Sequence, residues 1–254
     1  MILAIDVGNS NITLGGFCDD SIAFVANLST DACATEDEYS CRIMDMLRLH
    51  GIDKSLVKGT VVSSVVPQLN TIIQRAVKLV FGISPIFVGP GIKTGISIQC
   101  DTPSSVGADL ICASVAAHFI YGSPSLIIDM GTATKMTVVN KNGAFIGTSI
   151  IPGVVMGLYA LSNQTAQLPK ISLEAPGSII AKNTVDCMKS GVIFGNASMI
   201  DGMIDRINQE MGEELSVYIT GGYASVILPY CKHKMVHDEN LILKGLNIIY
   251  KKNS

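Results

Sequence analysis

Charge is scarce in this chain and nowhere concentrated. Asp, Glu, Lys and Arg make up 15% of its 254 residues, the formal net charge is −3, and no basic run is longer than Lys251-Lys252. A face that tracks a phosphate backbone needs clustered Lys and Arg, so nucleic acid is not an expected partner. Paired thiols are lacking too. Cys18, Cys33, Cys41, Cys100, Cys112, Cys187 and Cys231 are odd in number, scattered and free of any Cys-x-x-Cys, which argues for reduced cysteines. The sequence has no Walker loop, no Gly-x-Gly-x-x-Gly fingerprint and no Gly-x-Ser-x-Gly elbow, so P-loop, dinucleotide and triad-hydrolase readings drop away. His233 and His237 are four apart, but they fall in a polar stretch that reads as a solvated loop, not a metal-binding helix. The opening residues Met1 to Asp6 lack the basic start and long apolar core of a signal peptide, so a cytoplasmic location is expected.

Apolar content, by contrast, is ample. Hydrophobic residues reach 48% with 24 glycines, which excludes a disordered or fibrous chain and leaves material for one large domain or two ordinary ones. The stretch 142–169 carries no formal charge, yet Gly143, Gly147, Pro152, Gly153 and Gly157 would break a lipid-facing helix. A strand, a turn and a core helix accommodate it better, and no membrane association is expected.

Apolar runs at 2–5 and 12–17 flank the turn signal Gly8-Asn9-Ser10, predicting a β-hairpin with Asp6 at its bend. Thr35 followed by Glu36, Asp37 and Glu38 predicts a capped helix to about Gly51, and Gly59 to Val66 reads as a buried strand. Pro67 opens a helix through Val80 with an apolar stripe at Leu69, Ile72, Ile73 and Ala76. Strands at 85–88 and near 96–98 and an apolar helix over 108–121 follow. Then the chain repeats itself: Ala4 to Thr13 aligns with Ile127 to Met136, 123 residues on. One recurrence at half-length predicts two similar α/β lobes, 1–118 and 119–254. The second would hold strands at 135–140, 145–150 and 216–220 and helices at 152–165, 185–211 and 241–250.

The two Asp-x-Gly turns, with hydroxyls following at Ser10 and at Thr132, carry the most chemistry. Glycine admits a close-lying anion, the following amides and hydroxyls donate hydrogen bonds, and the aspartate can hold a divalent cation against phosphates. One such turn is often a plain hairpin; a pair can grip one polyphosphate. Thr220-Gly221-Gly222 follows a predicted strand and could lie against a nucleotide, or could be a simple turn. Asp109, in Gly107-Ala108-Asp109-Leu110, reads first as a helix-capping acid and second as a general base for an attacking hydroxyl.

Taken in order, Asp6-Val7-Gly8-Asn9-Ser10, Ser63-Ser64-Val65-Val66-Pro67, Gly91-Ile92-Lys93-Thr94-Gly95, Gly107-Ala108-Asp109, Asp129-Met130-Gly131-Thr132-Ala133-Thr134, Pro152-Gly153, Asn183-Thr184 with Ser190-Gly191, and Thr220-Gly221-Gly222 resemble the type III pantothenate kinases. The resemblance spans nearly the whole chain. It implies ribonuclease-H-like, actin-like lobes of the sugar-kinase type, each a mixed sheet flanked by helices. It also implies ATP-dependent phosphorylation of pantothenate to 4'-phosphopantothenate, the first step of coenzyme A biosynthesis. The implied helpers are magnesium and a monovalent cation, potassium or ammonium, and the implied assembly is a homodimer whose active site is shared across the interface. Residue by residue, Asp6, Val7, Gly8, Asn9, Ser10, Asn11, Ile12 and Thr13 match the first ATP-binding segment and Thr132 a second contact. Asp129 matches the monovalent-cation ligand. Gly107, Ala108 and Asp109 match the pantothenate segment, with Asp109 the proton acceptor, and Thr184 matches a contact from the partner protomer.

The pattern is broken at the acceptor pocket. Leu110 stands where the family has an arginine able to meet the pantothenate carboxylate, and Cys100 where it has a tyrosine. Lys135 and Thr137 replace a threonine and an aspartate, and Lys135 is the candidate for the missing positive charge. These changes keep two alternatives open: a nucleotide-binding regulatory relative, or a kinase of the same fold acting on another hydroxyl.

Overall fold

The Asp6 turn forms as its pattern requires. In the computed structural model, which describes residues 1–254, strands β1 (Ile2–Val7) and β2 (Asn11–Cys18) pair antiparallel, with Asp6 opposite Thr13 and Val7 opposite Ile12. Strand β3 (Ser21–Ser29) extends the meander. Helix α1 (Glu36–Leu49) then starts at a reciprocal cap, in which Thr35 Oγ1 accepts from the Glu38 amide and Glu38 Oε2 accepts from the Thr35 amide. Strand β4 (Gly59–Ser64) returns parallel to β1 on its other side. Helix α2 (Pro67–Phe81) begins on its proline and stops at Gly82, whose φ of 72° suits a residue without a side chain. Strand β5 (Ile86–Phe87) and helix α3 (Ala108–Ala116) complete this half, α3 running on into a wider turn over Ala117–Tyr121.

The pattern then recurs. Strands β6 (Ser125–Met130), β7 (Ala133–Val139) and β8 (Phe145–Pro152) form a second antiparallel meander. Helices α4 (Val154–Asn163) and α5 (Thr184–Met211) lead to strand β9 (Ser216–Thr220), helix α6 (Ala224–Ile227) and strand β10 (Val236–His237). Helix α7 (Leu241–Asn253) closes the chain. The two sheets run β3-β2-β1-β4-β5 and β8-β7-β6-β9-β10, one topology used twice. The duplication inferred from the paired acids is therefore a duplication of whole sheets.

One face of the first sheet packs Leu3, Ile5, Val7 and Leu14 against Tyr39, Ile43 and Leu47 of α1 and Leu69, Ile73 and Val77 of α2. The opposite face packs Ala4, Phe17 and Val61 against Ile111, Cys112 and Val115 of α3 and Leu243, Leu246 and Ile249 of α7. In the second sheet Leu126, Ile128, Met130, Met136 and Val138 meet Val154 and Leu158 of α4 and Val192, Ile193, Ala197, Ile200 and Ile204 of α5. Each such Leu, Ile or Val contributes about 1.5–3 kcal/mol over an exposed one.

The structure differs from the sequence reading at the closing helix. The two units comprise 1–121 with 240–254, and 122–239. Helix α7, read with the second lobe, belongs to the first, because its Leu243, Leu246 and Ile249 stripe covers the sheet face beside α3. Glycines allow the approach: a β-carbon on Gly245 would run into the Cys112 carbonyl, and one on Gly59 into the Tyr250 ring. The strand expected near 96–98 contracts to a single bridge at Ile98. The uncharged stretch 142–169 contains all of β8 and all of α4, and no helix is long and apolar enough to cross a membrane.

Candidate active site

The first turn is held from behind by a residue the sequence reading did not single out. Gly8 N donates to Asn11 O at 2.9 Å, while Thr30 at the end of β3 donates its hydroxyl to Gly8 O at 2.6 Å and its amide to Ser10 O at 3.0 Å. No motif marks Thr30; only the strand pairing brings it there. Asn9, Ser10 and Asn11 are left exposed at the tip. Two residues of the expected ATP segment offer backbone only. Val7 and Ile12 point into the core, 0% and 1% exposed, because alternation along paired strands turns them toward α1 and α2, so their side chains do not reach a nucleotide. Thr13 donates its hydroxyl to Asn27 Oδ1 at 2.9 Å.

Asp109 lies in the first turn of α3, 7% exposed, with Oδ1 accepting from the Leu110 amide at 2.8 Å. Gly107 precedes it because a β-carbon there would stand 2.5 Å from that same oxygen. Asp109 and Asp6 both act on the Cys112 thiol. Burial pushes the Cys112 thiol far above its ordinary range, and the carboxylates of Asp6 and Asp109 both push it further, so the two acids share one neighbourhood at the end of the first sheet. Beside Asp6 and Val7 the parallel ladder sets Ser63 and Ser64. A cleft of about 400 Å³ opens next to them, lined by Ser64, Asn70, Gln74, Phe87 and Pro90. This is the edge past the strand carboxyl ends where α/β sheets bind ligands. Ala108 and Leu110 are buried and Cys100 is half-buried. The Lys93 segment is tied to the C-terminal helix, its amide donating to Asn253 Oδ1 at 3.1 Å. Thr184 is exposed at the start of α5, next to the Asn183 cap.

The second turn is tighter by one residue. Asp129 pairs with Lys135 across the ladder and Gly131 N donates to Ala133 O at 3.2 Å. The turn is caged: Gly153 sits against the carbonyls of Thr132 and Gly131, where a β-carbon does not fit. Gly221 has a φ of 94°, and a β-carbon on it would fall 2.6 Å from the Met130 backbone. Asp129, the exposed Thr132, the start of α4 and the Thr220-Gly221-Gly222 turn are thus held by two backbone contacts, at Gly153 and at Gly221. Gly221→Ala combines left-handed strain with overpacking and is expected to lower unfolding stability by about 2–3 kcal/mol in urea titration. It is also expected to weaken ATP binding measured on the folded variant.

Lys135 has a partner that the sequence reading did not assign to it. Its Nζ lies 2.7 Å from Asp129 Oδ2, with the two side chains 17% and 11% exposed. The charge proposed for the pantothenate carboxylate is therefore matched within its own hairpin. Thr137 is fully buried and pairs with Thr148 Oγ1 at 3.1 Å across β7 and β8. Nor do these residues fit a monovalent cation at Asp129. Two like charges about 4 Å apart repel by about 4 kcal/mol at an effective dielectric of 20, and the ammonium is already on the carboxylate. No cluster of three or more His, Cys, Asp or Glu forms an all-protein metal cage.

Two duplicated mixed sheets, each with an acid at its first turn, are the architecture of the actin-like, sugar-kinase-type ATPases. Component A of (R)-2-hydroxyglutaryl-CoA dehydratase from Acidaminococcus fermentans has this fold, with a TM-score of 0.60 at 15% identity over 100% of this chain and 99% of its own. The type III pantothenate kinase profile matches residues 2–206. Relatives of that name from Geotalea daltonii and Citrifermentans bemidjiense are 41% and 42% identical over 253 residues, covering 100% of this chain and 99% and 100% of theirs. The chain belongs to the type III pantothenate kinase family.

Proposed function

We propose that this enzyme transfers the γ-phosphoryl group of ATP to the terminal hydroxyl of pantothenate. The observation that carries the reading is full-length identity of about 40% to relatives bearing that name, with both acid turns kept in equivalent places of two equivalent sheets. Identity of this extent with enzymes favours catalysis over a purely regulatory role.

Amides and hydroxyls of Gly8 to Asn11 and of Gly131 to Ala133 would meet phosphate oxygens, with Thr132 as a further contact. Asp6 fits a magnesium ion bound mainly by phosphates and water, which supplies charge neutralisation when present. Asp109 would accept the proton of the attacking hydroxyl, and its carboxylate, which like that of Asp6 acts on the Cys112 thiol, supports that role. Leu110 is buried and apolar, so recognition of the pantothenate carboxylate falls to other residues. A homodimer is supported by exposed apolar side chains, Val155, Met156, Tyr159 and Leu161 on α4 and Ile179, Ile180 and Val185 around Thr184, which a second copy would cover. Seven free cysteines support a cytoplasmic location.

The test is ADP release by purified protein with ATP and magnesium, with and without pantothenate. Pantothenate-dependent turnover is the expected result. ATP binding with turnover only on another hydroxyl compound, or with none, overturns the assignment of substrate.

A further inference from the structure

The two hairpins provide an internal comparison. Each has one acid at the end of its first strand, and each ladder places one residue directly across from it: Thr13 opposite Asp6, Lys135 opposite Asp129. The parallel neighbours are matched as well, Ser63 beside Asp6 and Thr220 beside Asp129. Among these ladder neighbours the two acids differ most in the residue directly opposite, an alcohol in the first sheet and an ammonium in the second. That ammonium is not a surface charge folded over an acid. Nζ and Oδ2 are 2.7 Å apart, within the range of a charge-assisted hydrogen bond, and both side chains are largely withdrawn from water.

We propose that Lys135 is a built-in monovalent cation: its ε-ammonium occupies the place at Asp129 that a potassium or ammonium ion would take, so turnover needs neither ion. The proposal rests on the kinase reading above. Charge and donor chemistry both fit, since an alkylammonium carries the same single positive charge and presents three N–H donors. Being tethered, it is present at high effective concentration whatever the salt. The register from Ser125 opposite Val139 to Met130 opposite Thr134 fixes its origin next to the acid, so no rearrangement is needed to hold it there. No bond is made or broken at Lys135, and its role is to keep the Asp129 carboxylate neutralised and oriented while phosphate groups approach.

The experiment uses the full-length protein with ATP, magnesium and pantothenate in tetramethylammonium chloride, then in potassium or ammonium chloride. Wild-type kcat/KM is expected to differ by less than about twofold among the salts. Lys135→Ala and Lys135→Thr are expected to lose about tenfold or more in tetramethylammonium and to recover to within about threefold when potassium or ammonium is supplied. Thermal unfolding without substrates gives a second readout. Replacing tetramethylammonium by potassium should raise the Tm of both variants and leave that of the wild type unchanged, because only the variants bind the ion. A wild-type enzyme that requires potassium or ammonium overturns the proposal, with or without folded variants. So do folded variants that behave alike in all salts. If pantothenate is not phosphorylated in any salt, the substrate assignment falls while the melting comparison still decides the role of Lys135.

Discussion

Asp109→Asn is expected to lower kcat for pantothenate phosphorylation by about 10²–10⁴-fold, the range attributed to a positioned general base. The substitution separates the two roles that the sequence leaves in competition at this position. Asp109 Oδ1 accepts from the Leu110 amide, and asparagine keeps an oxygen able to do the same while losing the basic carboxylate. A capping residue would therefore survive the change, whereas a proton acceptor would not. Tm and ATP binding should stay close to wild type, so the loss should fall on kcat. A kcat within about threefold of wild type would assign Asp109 to the helix terminus alone.

Gly245→Val is expected to lower the free energy of unfolding by about 3 kcal/mol or more, read as a drop in urea midpoint with an unchanged m-value. The Gly245 α-carbon faces the Cys112 carbonyl, so a side chain there presses on backbone that has no rotamer to change. Gly195, exposed on α5 with open space around it, provides the contrast: Gly195→Ala should be neutral or stabilising by up to about 1 kcal/mol through helix propensity. Equal effects at the two positions would show that α3 and α7 do not pack as closely as described. Because α3 carries Asp109, Gly245→Val should also reduce turnover at temperatures where the protein remains folded.

What was legible in the sequence was local. The acids, glycines and hydroxyls of both turns, the Thr35 cap and the Pro67 start are all short-range signals, and each formed the element it predicts. Strand β3 went unread because its apolar residues serve both faces: Phe24 and Ala26 pack toward α1 and α2, while Ile22 and Val25 pack with the α3 and α7 cluster. A register shift between Gly16 and Phe17 of its partner strand accompanies that mixed pattern. The destination of α7 was not legible either, since a helical stripe declares an apolar face without saying which sheet receives it. Val7 and Ile12 were assigned to ATP with their whole segment, although alternation separates tip residues from core residues. The Lys135–Asp129 pair did leave a signal. A lysine six positions after the turn acid falls opposite it once the tight hairpin is granted, and reading the ladder would have found it.

The return of α7 to the first sheet sets an order of events at the ribosome. Residues 122–239 form a continuous unit and can complete their core as soon as they emerge. The earlier-made first unit cannot, because Ala4, Phe17, Val61 and Cys112 await Leu243, Leu246 and Ile249 from the last helix. The half of the molecule synthesised first is thus finished last, reversing the usual amino-to-carboxyl sequence of domain folding. Until then one apolar face of its sheet remains open to chaperones and to neighbouring nascent chains.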